Sequence, residues 1–137
     1  MSREENAEVV RRVWEAAFRR PEPDFETLDS LSPDNELVSP ISRLEGRGSF
    51  RGKQGWLDWL ATMAEAFASW AIRLEEMSAI DDEHVLVVAT MDVRSRAAGV
   101  PAQQRYWYSV TVRDCKVIRT EACSSREEAL AAVDQRE

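Results

Sequence analysis

Lysine, histidine and cysteine are scarce in this chain of 137 residues. Lys53 and Lys116 are its lysines, the arginines are scattered among acids, and the formal charge is −7. A nucleic-acid surface needs clustered cations to meet the phosphates, so the charge argues against that partner. Cys115 and Cys123 are too few for a disulfide framework, and with the single His84 they form no zinc pattern. No metal and no cofactor is expected. His84 begins a strand beside the Asp81-Asp82 turn and reads as a half-exposed strand residue rather than a catalytic one. No apolar run is long enough to span a bilayer, so no membrane contact is expected. The polar stretch Met1–Glu5 lacks the apolar region of a signal peptide, and a cytoplasmic protein with two reduced thiols follows as the expectation. Internal repeats, a phosphate-binding glycine loop and a nucleophile elbow are also missing.

What is present is ordinary for a globular protein: 44% hydrophobic and 31% charged residues. A single domain over 1–137 would bury roughly two thirds of its unfolded surface without staples. Ser2 and Glu5 have the spacing of a capping box, and Val9, Val10, Val13, Trp14, Ala17 and Phe18 recur at helical spacing. A first helix over 3–20 is predicted, stopped by Pro21 and Pro23. Asp24 can cap a short second helix over 24–31, in which Phe25, Leu28 and Leu31 fall three apart. Ser32-Pro33-Asp34 reads as a turn and Glu36–Ser39 as a short strand. Ile41–Gly55 carries four of the five glycines and reads as a lid-like loop. A helix over 54–70 follows, with Trp56, Leu57, Trp59, Leu60, Met63, Ala64 and Phe67 on a broad apolar face. Its tryptophans fit either core packing or a stacking platform for a flat ligand.

The strongest pattern lies further on. Val85–Ala89 is an unbroken apolar run, after which Thr90, Asp92 and Arg94 alternate with Met91, Val93 and Ser95. In the next strand Gln104, Tyr106, Tyr108, Val110 and Val112 share one parity. A three-residue loop at Ala98-Gly99-Val100 would set Asp92 opposite Tyr106 and Thr90 opposite Tyr108. Asp114-Cys115-Lys116 reads as a second three-residue loop, leading into a strand over 117–123. Ser125 with Glu128 repeats the capping box and opens a last helix through Val133. The fold class is therefore α+β: a curved, mainly antiparallel sheet with helices packed on its concave face. The convex face would hold Val85, Val87, Met91, Val93, Trp107 and Ser109, and that much apolar surface predicts a homodimer.

Four segments resemble the SnoaL-like branch of the nuclear-transport-factor-two-like superfamily, a cone-shaped α+β fold. They are Glu8–Trp14, Phe50-Arg51-Gly52-Lys53-Gln54-Gly55, Val110–Ile118 and Ser125–Leu130. The resemblance covers nearly the whole chain and implies a cone with a small-molecule pocket. Its members include polyketide cyclases, ketosteroid isomerases and limonene-type epoxide hydrolases, and fold alone does not choose among them. The position of the isomerases' general-base Asp looks like Ser39 here. Of the epoxide hydrolases' residues Asp92 matches one acid. The Arg, second Asp, Tyr and Asn positions look like Thr90, Ala122, Leu37 and Ser39. The turn usually written Asp-Gly-Lys is Asp114-Cys115-Lys116, which would place a cysteine at positive φ.

The pocket expected from this register joins Asp92, Tyr106 and Tyr108 as candidate catalytic groups. Thr90, Arg94, Gln104 and Thr120 would bind ligand beside them, with Trp14 and Trp59 in the helical wall. Asp92 would be a general acid or base, and Tyr108 would donate to a developing oxyanion. The competing reading pairs Asp92 with Arg94 at the rim and leaves the tyrosines as wall. Glu121 falls on the opposite parity, as an interface charge. Two functions stay open: acid–base chemistry (isomerisation, cyclisation or hydration) on a small, largely apolar carbonyl compound, or non-catalytic binding of a small hydrophobic ligand.

Overall fold

A computed structural model of the chain describes residues 2–18, 30–39 and 50–134. Most of the predicted helix over 24–31 and the 41–49 part of the predicted loop lie outside them. The elements are α1 (Arg3–Ala17), β1 (Leu31–Val38), β2 (Phe50–Arg51), α2 (Gly52–Ala66), β3 (Phe67–Ala79), β4 (His84–Ser95), β5 (Pro101–Arg113), β6 (Lys116–Cys123) and α3 (Arg126–Asp134). The six strands form one sheet in the order β2-β1-β6-β5-β4-β3, antiparallel throughout except where β1 runs parallel to β6. This is the α+β layout expected.

The capping box at Ser2 and Glu5 is formed, and α1 buries Val9, Val10, Val13, Trp14 and Ala17 against the sheet. Helix α2 packs on the same face through Trp56, Trp59 and Met63. Two close contacts seat it. Trp56 Nε1 donates to Asn35 Oδ1 at 3.1 Å, with both side chains buried. A Cβ on Gly55 would lie 2.6 Å from the Phe50 carbonyl carbon, so only glycine lets the helix approach β2 this closely.

Several boundaries differ from expectation. Leu31 opens β1 rather than closing a helix, and the strand runs through Ser32-Pro33-Asp34 by means of an irregularity in its pairing with β6. Residues 50–55 belong to β2 and the first turn of α2. That helix stops at Ala66 because Phe67 turns extended (φ −127°, ψ 147°) and starts pairing with Ser95, so Trp70 lies on a strand. Tertiary pairing here overrides helical spacing. His84 is buried, not half-exposed: its Nδ1 lies 2.8 Å from Asp81 Oδ1.

The larger correction concerns faces. Val85, Val87, Ala89 and Met91 point into the main core beneath α1 and α2, with Val93 packed against it. They are not on the outer face. That face carries Leu86, Val88, Thr90, Asp92, Arg105, Trp107 and Ser109, and α3 covers part of it through Ala129, which packs with Leu86, Val88 and Cys123. A helix therefore shields a surface on which none was expected.

The β5–β6 turn is a two-residue loop with both Asp114 (φ 51°) and Cys115 (φ 62°) left-handed, between paired Arg113 and Lys116. A bulge at Ile118, facing the step from Thr111 to Val112, returns the residue saved in the turn, so Thr120 still pairs with Val110 on the inner face. Aspartate tolerates that backbone and cysteine does not, whereas Asp-Gly is a preferred pair for such a hairpin. Cys115→Gly is expected to stabilise the fold by about 1 kcal/mol, read as a higher urea midpoint with an unchanged slope.

The β3–β4 turn is held by Asp81. Its carboxylate accepts from the backbone N–H of Glu83 (2.8 Å) and of His84 (2.9 Å). The neighbouring Asp82 carbonyl accepts from Asn6 Nδ2 and so docks α1. Burial pushes the Asp81 carboxyl up, but the hydrogen bonds from Glu83 and His84 together outweigh it and hold the carboxyl below its ordinary value. A depressed carboxylate contributes stability above its unfolded pKa of about 4 and loses it as pH falls through the folded value. Asp81→Asn is thus expected to lower the urea midpoint at pH 7, and the gap from wild type should shrink steadily as pH drops from 5 towards 3.

Candidate functional site

The inner pocket lies at the rim where α2 gives way to β3. It is a cavity of about 70 Å³ lined by Ser39, Trp59, Met63, Phe67, Met91, Tyr106 and Tyr108. Helix α2 supplies Trp59 and Met63, the start of β3 supplies Phe67, and β4 and β5 supply Met91 and the two tyrosines. Ser39 follows β1 and is buried.

Rings brace one another around this cavity. Trp14 stands edge-on to Tyr108 with centroids 4.8 Å apart, and Tyr106 lies 6.1 Å from Tyr108. Trp59 meets Trp56, Phe18 and Trp70 edge-on at 6.1, 5.8 and 6.0 Å. Such tilted contacts suit the quadrupoles of the rings and each adds about 0.5–1.5 kcal/mol beyond burial. Trp14 thus backs Tyr108 from within the core, and Trp59 serves as both core and cavity wall.

Burial pushes the Tyr108 phenol far above its ordinary pKa, and Tyr106 adds to the effect; burial raises Tyr106 as well. Both stay protonated across the physiological range and act as donors. Neither has a protein hydrogen-bond partner among the described residues.

The predicted companions of these tyrosines lie elsewhere. The pairing is Asp92 with Gln103 and Thr90 with Arg105, displaced by three residues from the expected register (103 rather than 106 opposite Asp92). An odd displacement sends one strand's side chains to the opposite face. The cause is the loop: Ser95 and Val100 close it by a backbone bond of 3.1 Å, leaving four residues, Arg96–Gly99, with Gly99 left-handed at φ 64°. Asp92 therefore sits on the outer face. It accepts from Arg73 Nε at 2.8 Å and Gln103 Nε2 at 2.6 Å. The Arg73 hydrogen bond above all, against a smaller cost of desolvation and with help from Gln103, holds its carboxyl below the usual range. A paired, half-exposed carboxylate of depressed pKa is not poised as a base at neutral pH.

Thr90 Oγ1 donates to Glu75, which also takes Arg105 at 2.8 Å, again on the outer face. Arg94 does not pair with Asp92; it is exposed and donates to the Gly99 carbonyl at 3.0 Å. Gln104 has the inner parity but is exposed beyond the pocket, donating to the Arg105 carbonyl. Thr120 is fully buried on the inner face, its Oγ1 without a partner among the described residues, and it does not line the cavity. Glu121 pairs with Arg119 at 3.1 Å on the outer side. Of the predicted site, then, Tyr106, Tyr108 and Trp59 meet at the cavity and Trp14 supports them.

Met63, Phe67 and Met91 were not singled out as site residues in the sequence. The signal that finds Met91 is the alternation itself, once the loop is taken as even in length. Among the described residues no group of three or more His, Cys, Asp or Glu side chains could hold a metal ion. No helix there is long and apolar enough to cross a membrane.

The architecture has relatives among solved structures. TerC, crystallised with polyporic acid, is 22% identical over 95% of this chain and 98% of its own, with a TM-score of 0.71. A nuclear-transport-factor-two-like protein from Burkholderia xenovorans LB400 is 25% identical over 96% and 97%, with a TM-score of 0.69. A protein from Catenulispora acidiphila DSM 44928 with a ketosteroid isomerase-like fold, in complex with trimethylamine, is 16% identical over 90% of both chains, with a TM-score of 0.66. Among curated proteins none matches the sequence. The model of the SnoaL-like domain matches residues 10–120, which include every described residue that lines the cavity, and this chain belongs to that family.

Proposed function

We propose that this protein holds a small, largely apolar molecule bearing a hydrogen-bond acceptor, a carbonyl foremost, in the pocket between α2 and the inner face of the sheet. One observation carries the reading: Tyr106 and Tyr108 line an otherwise mostly apolar cavity and have no protein acceptor among the described residues. Neither phenol oxygen is among the fully buried unpaired atoms, so both stay reachable and can donate to an acceptor on a ligand held there, each such bond worth about 0.5–1.5 kcal/mol. That TerC was crystallised with polyporic acid, and the Catenulispora protein with trimethylamine, supports a small molecule as occupant.

Acid–base chemistry on the same carbonyl is the second reading. It is favoured by the phenol pair, which suits a developing oxyanion as well as a ground-state carbonyl. Among the described residues no carboxylate lines the cavity, and Asp92 is on the other face. Binding without turnover is therefore better supported. Cys115 and Cys123, which form no disulfide, fit a cytoplasmic setting.

We also propose a homodimer through the outer face, now centred on Trp107 rather than on Met91 and Val93. Trp107 is half-buried in a groove with Val88, between the Arg105–Glu75 and Arg126–Glu76 pairs, where α3 leaves it partly open. A two-fold axis there would let each copy's arginines meet the other's glutamates.

Trp59 in the wall makes binding visible in tryptophan fluorescence. Titration with acetophenone or cyclohexanone is expected to saturate. Tyr106→Phe and Tyr108→Phe should each weaken it about two- to tenfold, one neutral hydrogen bond of ~0.5–1.5 kcal/mol. Asp92→Asn should leave the affinity unchanged. Turnover of a carbonyl substrate that collapses in Asp92→Asn would restore the acid–base reading. For the dimer, Trp107→Arg is expected to shift light scattering from twice the chain mass to the chain mass, and a monomeric wild type would rule the interface out.

A further inference from the structure

We infer that Arg96 positions the α2–β3 wall of the inner pocket by clamping the end of α2 from the β4–β5 loop. Its effect on binding rests on the ligand-pocket reading above; the clamp itself rests on the geometry of the junction. A helix leaves its last four carbonyls without partners inside the helix. Such ends are commonly closed by a left-handed glycine or by a basic residue near the terminus. In α2 neither is present: Phe67 follows Ala66 in extended backbone, and the last turn carries no basic residue. The cation comes instead from another element. Arg96 Nε donates to the Glu65 carbonyl at 2.6 Å, and Arg96 Nη2 donates to the Ala64 carbonyl. Two donors of one planar guanidinium thus take two successive carbonyls, and its charge lies at the negative end of the helix.

The loop that offers Arg96 is itself fixed. The Ser95 N–H donates to the Val100 carbonyl at 3.1 Å and the Gly99 N–H to the Ser95 carbonyl at 3.0 Å, while Arg94 Nη1 holds the Gly99 carbonyl at 3.0 Å. Ser95 also pairs with Phe67. Strand pairing and the Arg96 clamp therefore grip the chain on both sides of the point where helix becomes strand. Met63 stands in the last turn of α2 and Phe67 at the junction, and both line the cavity. Other parts of the lining have holds of their own. Trp59 and Tyr108 are braced by neighbouring rings, and Met91 is set in the central strand β4. Met63 and Phe67 sit where a frayed helix end would displace them.

The test is amide hydrogen exchange on wild type, Arg96→Ala and Arg96→Lys, with urea midpoints and fluorescence titrations by acetophenone on the same proteins. Arg96→Ala is expected to speed exchange at residues 63–67 about tenfold, while residues 56–60 and 85–89 keep their wild-type rates. An arginine that merely stabilised the whole fold would speed all three segments together and lower the urea midpoint. Affinity for acetophenone should fall about three- to tenfold in Arg96→Ala. Arg96→Lys, a single point donor in place of the fork, should lie between on both readouts. Should Arg96→Ala fail to fold by circular dichroism, Arg96→Lys against wild type decides the same comparison. Unchanged exchange at residues 63–67 overturns the clamp. Faster exchange there with wild-type affinity for acetophenone overturns the positioning of the pocket wall. Binding of the ketone by none of the proteins, wild type included, removes the pocket reading and leaves the exchange comparison to decide the clamp.

Discussion

The pairing of β4 with β5 decides what this molecule can hold. These two strands form the middle of the sheet, and each presents alternate residues to opposite faces. With four residues between Ser95 and Val100, Met91 faces inward beside Tyr106 and Tyr108, while Asp92 faces outward to Arg73 and Gln103. One residue more or fewer in that loop would turn one strand over relative to the other; turning β4 would bring Asp92 inward and put Met91 on the outer face. Gly99 makes the even loop possible, since its left-handed φ of 64° would be strained with a side chain. A cavity residue thus depends on a glycine chosen for its backbone and not for lack of room, since a Cβ there would meet no atom within 4 Å.

The helices then complete the site because they are tied to the other end of the sheet. Gly55 lets α2 lie against Phe50, and the Trp56–Asn35 bond fixes its rotation, so Trp59 and Met63 arrive over the open rim of β4 and β5. The chain passes from α2 directly into β3 at Phe67, without a connecting loop. That abrupt change of backbone places Phe67 in the lining, where a continued helix would have carried it past the rim. On the other face, α3 covers Leu86, Val88 and Cys123, and Arg–Glu pairs ring the remainder. Exposed pairs of that kind each contribute about 0–1 kcal/mol, so their part is to mark a surface rather than to hold the fold.

Much of this is legible in the sequence, and the rest fails for identifiable reasons. The capping box at Ser2 and Glu5, the apolar face of α1 and the run Val85–Ala89 each belong to one local period, and each appears where that period puts it. The phenols were legible as one parity of β5. What could not be read was the relation between strands, because register is set by loop conformation and not by the alternation within either strand. Arg96-Ala97-Ala98-Gly99 carries one turn signal, and a single glycine fits a three-residue loop as well as a four-residue one. At the next hairpin the same ambiguity does no harm, since the bulge at Ile118 restores the parity and Thr120 stays inside. The end of α2 failed differently: Phe67 and Trp70 continue a helical spacing, and pairing with β4 claimed them instead.

The distribution of charge bears on the ligand itself. Glu75, Glu76 and Asp92 all have carboxyls held below their ordinary values, each chiefly by a hydrogen bond, from Thr90, Arg126 and Arg73 respectively. All three are on the outer face. The cavity receives neutral groups: two phenols that burial keeps protonated, a serine, two thioethers and two apolar rings. Bringing an ion into such a lining would leave its charge unpaired in a poorly solvated space, at a cost of several kcal/mol that phenol hydrogen bonds do not repay. A neutral molecule would meet no such cost. On the reading proposed above, hydrogen-bond donors without a counter-charge among the described lining residues would favour a neutral acceptor such as a carbonyl over a carboxylate.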